Sequence, residues 1–233
     1  METINQFLSR IKEIYGAGMP KGVQRFTCIK DMAILCGMVA TSAEIGAIGI
    51  GNISPKNYLV TLGGTEITNK TEALGVVEDL RSAFGLSNEY LMKSLKAITE
   101  NIPKRSTIFM YGYSLGGMVM QQVMADKNIK NNYTIKAVAI GSPITAINRQ
   151  RITIIEDTSD IVPKLSFISV FLKKLLGSYD THIIRNGGYK TTIGAHALSY
   201  VDSPVWDDVD VFGKVGGQGF VEIDMNNFVN YYA

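Results

Sequence analysis

Apolar positions in the middle of the chain follow two alternating patterns. Short runs that are apolar over most of their length are typical of buried strands, and they occur at Tyr58–Leu62, Ser106–Tyr111, Thr134–Ile140, Ile152–Ile155 and Thr181–Ile184. Other segments repeat apolar residues every three or four positions, which predicts helices, at Thr71–Phe84, Asn88–Ile102 and Leu115–Ala125. Strands that alternate with helices predict an α/β fold with a mainly parallel central sheet and helices on both faces.

The two ends of the chain are less regular. Met32–Ala43 is the most apolar stretch, but it is too short to span a bilayer as one helix, so we expect a buried helix. Near the other end, Val209–Phe212 and Phe220–Ile223 are predicted as short strands around a Gly-rich loop. Without repeats or linkers, we expect one domain over residues 1–233, in which the structure of residues 1–54 stays open.

Composition narrows the class of protein. Hydrophobic residues make up 46% and charged residues 19%, as in soluble globular domains. The net charge is +2 and basic runs are missing, so nucleic acid is not expected as a partner. Cys28 and Cys36 are predicted to be buried thiols rather than a disulfide. The N-terminus lacks a signal-peptide pattern, so we expect a cytoplasmic protein or one exported by a signal-independent route.

The segment Gly112–Gly116 has the pattern G-x-S-x-G around Ser114. It directly follows a predicted strand and directly precedes a predicted helix, which is the setting of a nucleophile elbow. On such a turn the serine hydroxyl projects clear of the sheet, and side chains two positions away would collide with the strand and helix. Ser114 is therefore the candidate nucleophile, and a plain tight turn is the weaker alternative.

A serine nucleophile needs a general base, and histidine suits this role near neutral pH. The chain has two histidines, His182 and His196. His182 opens a predicted strand, whereas His196 follows the last clear strand in a predicted loop, where the base of this type of fold is found. We therefore favour His196 and expect His182 to pair with polar groups nearby.

The acid that orients the histidine is expected between the serine and the histidine in sequence. Asp126 ends the helix after the elbow and is badly placed. The predicted loop after Ile152–Ile155 carries Glu156, Asp157 and Asp160. We favour Asp160, because Ile161-Val162-Pro163 would fix the chain beyond it; Asp157 comes second, with Glu156 and Asp180 behind.

Acyl transfer also needs two donors for the developing oxyanion. The backbone N–H of the residue after the serine, Leu115, is the first candidate. The second should come from a loop after an earlier strand, and Gly63-Gly64-Thr65 follows Tyr58–Leu62. Thr65 is therefore the candidate second donor, through its N–H or its hydroxyl.

Together these motifs resemble those of the class 3 lipases, a family of α/β-hydrolases. The similar pieces, between about residues 55 and 200, are Gly64-Thr65, Gly112-Tyr113-Ser114-Leu115-Gly116-Gly117, Gly141-Ser142-Pro143, Asp160-Ile161-Val162-Pro163 and His196. Tyr113 stands where the family usually has histidine. The resemblance implies an α/β-hydrolase fold and metal-free hydrolysis of carboxylic esters, often those of lipids.

We therefore expect a lipase or phospholipase that acts through an acyl-enzyme, with transient contact to a membrane surface. Residues 163–178 and the helix Thr71–Phe84 are candidate lids over the site, although simple packing on the sheet is the preferred interpretation. A thioesterase or acyltransferase with the same triad, or a non-catalytic binding protein, is the alternative.

No cofactor is expected. Asp202, Asp207, Asp208 and Asp210 form an acidic group without the spacing of a calcium loop, and a solvated face is the favoured interpretation.

Overall fold

The computed structural model of the protein describes residues 4–41, 47–64, 88–145, 152–165 and 180–232. Nine strands occur in these ranges: β1 (Val23–Phe26), β2 (Ala47–Ser54), β3 (Asn57–Leu62), β4 (Thr107–Tyr113), β5 (Thr134–Ile140), β6 (Ile152–Asp157), β7 (Thr181–Arg185), β8 (Val221–Asp224) and β9 (Val229–Tyr232). The helices are α1 (Ile4–Tyr15), α2 (Ile29–Ala40), α3 (88–101), α4 (Leu115–Ala125), α5 (Lys127–Asn132) and α6, which runs from Thr192 to Asp202.

Seven strands form the central sheet in the order β7-β6-β5-β4-β3-β2-β9. The five strands from β3 to β7 are parallel, whereas β2 pairs antiparallel with both β3 and β9. The prediction of a mainly parallel sheet is confirmed. A parallel sheet brings the carboxyl ends of its strands to one edge, where ligands of open α/β sheets bind.

Helices cover both faces of this sheet. Residues of β3, β4 and β5 alternate between two hydrophobic clusters, as the period of two along a strand requires. Leu59, Tyr111 and Val138 belong to one cluster, with apolar residues of α1, α2 and α6. Val60 and Met110 belong to the other, with apolar residues of α3, α4 and α5. This three-layer arrangement explains why the strands read as nearly continuous apolar runs.

The N-terminal residues that the sequence left open contribute two helices and two strands. Helix α2 contains the buried residues Met32, Leu35 and Val39, so the buried helix predicted in Met32–Ala43 is confirmed through Ala40. Among the described residues, no helix combines the length and apolar character needed to cross a membrane.

β4 and β6 each extend two residues beyond their predicted ends, and both extensions lie at the site edge of the sheet. β4 continues through Gly112 and Tyr113, which align with Ala139 and Ile140 of β5. β6 continues through Glu156 and Asp157, which pair with β7. Placing these two acids in a loop was therefore wrong, because pairing with a neighbouring strand decides where a strand ends.

The strand predicted at Val209–Phe212 does not form. Val209 and Asp210 make only isolated bridges. The carboxylate of Asp210 accepts hydrogen bonds from the backbone N–H groups of Phe212, Lys214 and Gly219, and so turns the chain back on itself. The following strand, predicted at Phe220–Ile223, is β8.

Other predictions fall partly or wholly outside the described residues. These are the helix Thr71–Phe84, the donor Thr65 and most of the candidate lid 163–178. The described start of that lid, up to Leu165, belongs to the 3-10 turn Val162–Leu165. Both cysteines are free thiols, Cys36 buried and Cys28 half-buried. The single domain over residues 1–233 stays a prediction.

Candidate active site

Ser114 lies on the turn between β4 and α4, with a backbone φ of 55° and ψ of −124°. The chain can turn this sharply because two glycines allow close packing. A Cβ on Gly112 would lie 2.5 Å from the Cα of Gly117, and a Cβ on Gly116 would collide with the backbone of β3 at Leu62. The turn predicted from G-x-S-x-G is therefore present, and it aims the buried Ser114 side chain at the carboxyl edge of the sheet.

His196 provides the next group in a hydrogen-bonded chain. Its Nε2 atom lies 3.0 Å from Ser114 Oγ, and its Nδ1 atom lies 2.9 Å from Asp160 Oδ2. The loop predicted around His196 is wrong, because the residue belongs to the π-helical stretch Ala195–Ser199 within α6. Such π-turns are rare and are frequently found at functional sites.

Asp160 is fully buried in the bend after β6. One carboxylate oxygen accepts a hydrogen bond from the backbone N–H of Val162 at 2.9 Å. The other accepts from His196 and, at 2.8 Å, from the hydroxyl of Tyr200. Three donors aimed at one buried carboxylate satisfy its oxygens and fix its orientation, so that it can in turn orient the imidazole.

The structure separates the other acidic candidates from this chain of contacts. Asp157 is also fully buried, but it accepts hydrogen bonds from Ser199 Oγ and from the backbone of Ser159 and Gly187. Glu156 lies 2.8 Å from His182, at its Nε2 atom, a pairing with a nearby polar group as predicted for this histidine. Asp126 caps α5 by accepting the N–H of Ile129. Asp180 precedes β7 at its amino end, the opposite edge of the sheet.

Of the two candidate oxyanion donors, the structure describes Leu115 but not Thr65. Leu115 is the first residue of α4 and is buried, so its N–H is one of the helix-terminal groups without a partner inside the helix. Thr65 lies outside the described residues, but Gly64 before it reaches the site. A Cβ on Gly64 would lie 2.9 Å from Ser114 Cβ and 3.6 Å from Ser114 Oγ. The turn after β3 is thus directly beside the serine.

Tyr200 is a site residue that sequence reasoning missed. Its hydroxyl oxygen accepts the backbone N–H of Asp157 at 2.8 Å, so its own proton is free to point at Asp160. Burial, followed by the nearby Asp160 charge, raises the pKa of Tyr200 well above its usual range, so the hydroxyl stays a donor. No local signal marks this residue in the sequence, because the segment around His196 was predicted as a loop and Tyr200 meets Asp160 only in the folded chain.

The described residues contain no group of three or more His, Cys, Asp and Glu side chains able to hold a metal ion. Three members of the acidic group near the C-terminus instead pair with cations. Asp202 contacts Arg10, Asp207 contacts Lys30, and Asp208 contacts Arg185. The hydrogen bond from Arg185 also lowers the pKa of Asp208.

The sheet order, the helices on both faces and the strained serine turn after a central parallel strand define the α/β-hydrolase fold. This chain is similar to two solved structures. Lip2 lipase from Yarrowia lipolytica is 15% identical over 70% of this chain and 74% of its own, with a TM-score of 0.36. M37 lipase is 13% identical over 86% of both chains, with a TM-score of 0.39. No protein-family model matches the sequence. No curated protein sequence matches it either.

Proposed function

We propose that the protein is a serine-dependent carboxylic ester hydrolase, with Ser114 as nucleophile, His196 as general base and Asp160 as the acid that orients the base. The observation that carries this proposal is the unbroken chain of hydrogen bonds from Ser114 Oγ through both ring nitrogens of His196 to Asp160. Because all three side chains are buried, water competes little for these contacts.

In the proposed acylation step, Ser114 Oγ attacks the ester carbonyl carbon while its proton moves to His196 Nε2. The tetrahedral intermediate carries its negative charge on the former carbonyl oxygen, where the N–H of Leu115 and a donor from Thr65 would stabilise it. As the intermediate collapses, His196 returns the proton to the leaving alcohol. Water then hydrolyses the acyl-enzyme by the same sequence of proton transfers.

For the substrate class we propose esters of lipids, including phospholipids. The support is the class 3 lipase-like combination of Gly64-Thr65, the elbow at Ser114 and Asp160-Ile161-Val162-Pro163. Substrates of this class imply transient contact with a lipid surface. The proposal needs neither a metal nor a cofactor, because both the nucleophile and its base are side chains of this protein.

The first test compares hydrolysis of p-nitrophenyl esters, from acetate to palmitate, and of phospholipid vesicles by the wild type and Ser114→Ala. We expect Ser114→Ala to lower kcat/KM by at least about 10³-fold, since no other group replaces the nucleophile. A serine-directed phosphonate should label the wild type and not this variant.

Ser106→Ala is the matched control. Ser106 is a buried serine just before the amino end of β4, where its hydroxyl donates to Pro103 O at 2.6 Å. This variant should keep wild-type activity and labelling. Long acyl esters preferred over acetate would support lipid substrates, and preference for thioesters would favour a thioesterase. A wild type that shows no hydrolysis and no labelling would contradict the proposal and point to a binding role.

A further inference from the structure

The π-helical stretch that carries His196 is held by two tyrosines from other parts of the chain. The hydroxyl of Tyr113, on β4, donates to the backbone carbonyl of His196 itself. The hydroxyl of Tyr15, at the end of α1, donates to the next carbonyl, that of Ala197, at 3.1 Å. Two successive carbonyls of α6 therefore bind side chains that lie more than eighty residues away in sequence.

Tyr113 connects the two reacting halves of the proposed site. It is the residue directly before Ser114, and its ring lies 5.5 Å from the His196 ring between centroids, at an interplanar angle of 33°. Its hydroxyl therefore joins the strand that presents the nucleophile to the helix that presents the base. Movement of α6 away from β4 would have to break this bond before it could lengthen the distance from His196 to Ser114.

Tyr15 supports the same stretch from the N-terminal helix. Its ring packs against Gly37 of α2, where a Cβ would collide with the ring. Both tyrosines are buried, and desolvation raises the pKa of each above the usual value, so both hydroxyls keep their protons at neutral pH and donate. Without these donors, two buried carbonyls would lose hydrogen bonds.

We propose that Tyr113 and Tyr15 are positioning residues of the site: by binding the carbonyls of His196 and Ala197, they hold the imidazole at hydrogen-bonding distance from Ser114. The reaction that this positioning serves rests on the proposed function. The positioning role of Tyr15 makes the N-terminal helix α1 part of the geometry of the site. The positioning role of Tyr113 gives a function to the tyrosine that stands in the elbow where class 3 lipases usually have histidine.

The kinetic test uses Tyr113→Phe and Tyr15→Phe, which remove only the hydroxyls. Misplacing the base slows chemistry more than binding, so Tyr113→Phe should lower kcat about tenfold with little change in KM, and Tyr15→Phe should do so less. The matched control is Tyr133→Phe. Tyr133 also donates to a distant backbone carbonyl, Ile102 O at 2.9 Å, but on the α3 side of the sheet.

A second test observes the imidazole directly and needs no turnover. The chain has two histidines, so ¹⁵N-histidine labelling gives two sets of ring signals, and His182→Gln assigns them. The Nδ1 proton of His196, held against buried Asp160, should be protected and far downfield in the wild type. In Tyr113→Phe this proton should exchange faster and its signal should broaden, whereas in Tyr133→Phe it should match the wild type.

The outcomes separate the two proposals. If the wild type hydrolyses no ester, the proposed function fails, and the proton signals still decide the positioning role. The inference is overturned if Tyr113→Phe keeps both kcat and the protected proton. It is also overturned if Tyr133→Phe loses as much kcat as Tyr113→Phe at an equal loss of Tm. Should Tyr113→Phe fail to fold, Tyr15→Phe decides by the same two measurements.

Discussion

The backbone of Ser114 stores strain at the centre of the candidate site. Among the described non-glycine residues, Lys56 and Arg105 also have a positive φ, but both are exposed in turns, whereas Ser114 is buried. A residue in such a sparsely populated region costs about 1–3 kcal/mol and persists only where its surroundings enforce it. The packing of Gly112 on Gly117 and of Gly116 on Leu62 supplies that enforcement.

Two buried aspartates, three residues apart, are expected to respond differently to the same substitution. In Asp160→Asn an amide faces His196 and disturbs the tautomer that the base needs, so kcat should fall by on the order of 10³- to 10⁴-fold. In Asp157→Asn one carboxylate oxygen is replaced by an amide NH₂ group, which cannot accept the hydrogen bonds that Ser199 and Gly187 donate. That variant should lose about 1–3 kcal/mol of unfolding free energy and keep most of its activity.

Rates on a p-nitrophenyl ester and urea unfolding curves of both variants check this pair of expectations. Retained activity in Asp160→Asn together with lost activity in folded Asp157→Asn would reverse the assignment of the acid.

At the scale of elements, the site depends on where β3 ends. The turn after β3 passes so close to the elbow that a Cβ on Gly64 would lie 3.0 Å from Tyr113 O and 3.6 Å from Ser114 Oγ. The φ of Gly64 is not positive, so alanine is allowed there by its backbone and the obstacle is steric. The methyl group would occupy space next to the nucleophile and shift the turn that leads to Thr65.

Gly64→Ala should therefore lower kcat at least about tenfold and slow labelling by a phosphonate, since displacement of an oxyanion donor has an effect of that order or larger. The neighbouring Gly63→Ala is the comparison, because its Cβ would meet Ala40 of α2 at 2.8 Å rather than the serine. Thermal unfolding and phosphonate labelling of both variants separate the effects. Gly64→Ala with wild-type labelling would place the second donor elsewhere.

At the scale of the whole molecule, buried phenols lie on both faces of the sheet, and most of them are on the face that supports His196. Desolvation raises the pKa of six buried tyrosines: Tyr15, Tyr90, Tyr111, Tyr113, Tyr133 and Tyr200. In the unfolded chain these groups lose their protons near pH 10, whereas in the folded protein they keep them. Above pH 10 the unfolded state therefore binds fewer protons, and the free energy of unfolding decreases as the pH rises.

Each such tyrosine should lower the free energy of unfolding by about 1.4 kcal/mol per pH unit between pH 10 and its folded-state pKa. Urea unfolding from pH 8 to 11, followed by circular dichroism and by tyrosinate absorbance, measures this loss. In Tyr111→Phe the free energy of unfolding should fall less steeply with pH, by the ~1.4 kcal/mol per pH unit that one tyrosine contributes. Constant stability up to pH 11 would show that these phenols do not control alkaline unfolding.

Much of the fold could be predicted because hydrophobic periodicity is a local signal. The strand at Thr134–Ile140 and the helix at Leu115–Ala125 have the predicted bounds. The ends of β4 and β6 and the missing strand at Val209–Phe212 could not be predicted, because strand pairing and the Asp210 carboxylate decide them. The helical setting of His196 depends on packing against distant elements.

The sequence alone determined the parallel strands β3 to β7 and the residues that had to be candidates. G-x-S-x-G predicts its own turn, because glycine is what close packing at that turn requires. Of the two histidines, the position of His196 after the last clear strand favoured it as the base over His182. Only the tertiary structure decided which acid meets His196. Asp157 and Asp160 are near neighbours in the chain, but the end of β6 directs one toward Ser199 and the bend after it directs the other toward His196. The roles of Tyr15, Tyr113 and Tyr200 were likewise decided by contacts between distant segments, which no local pattern records.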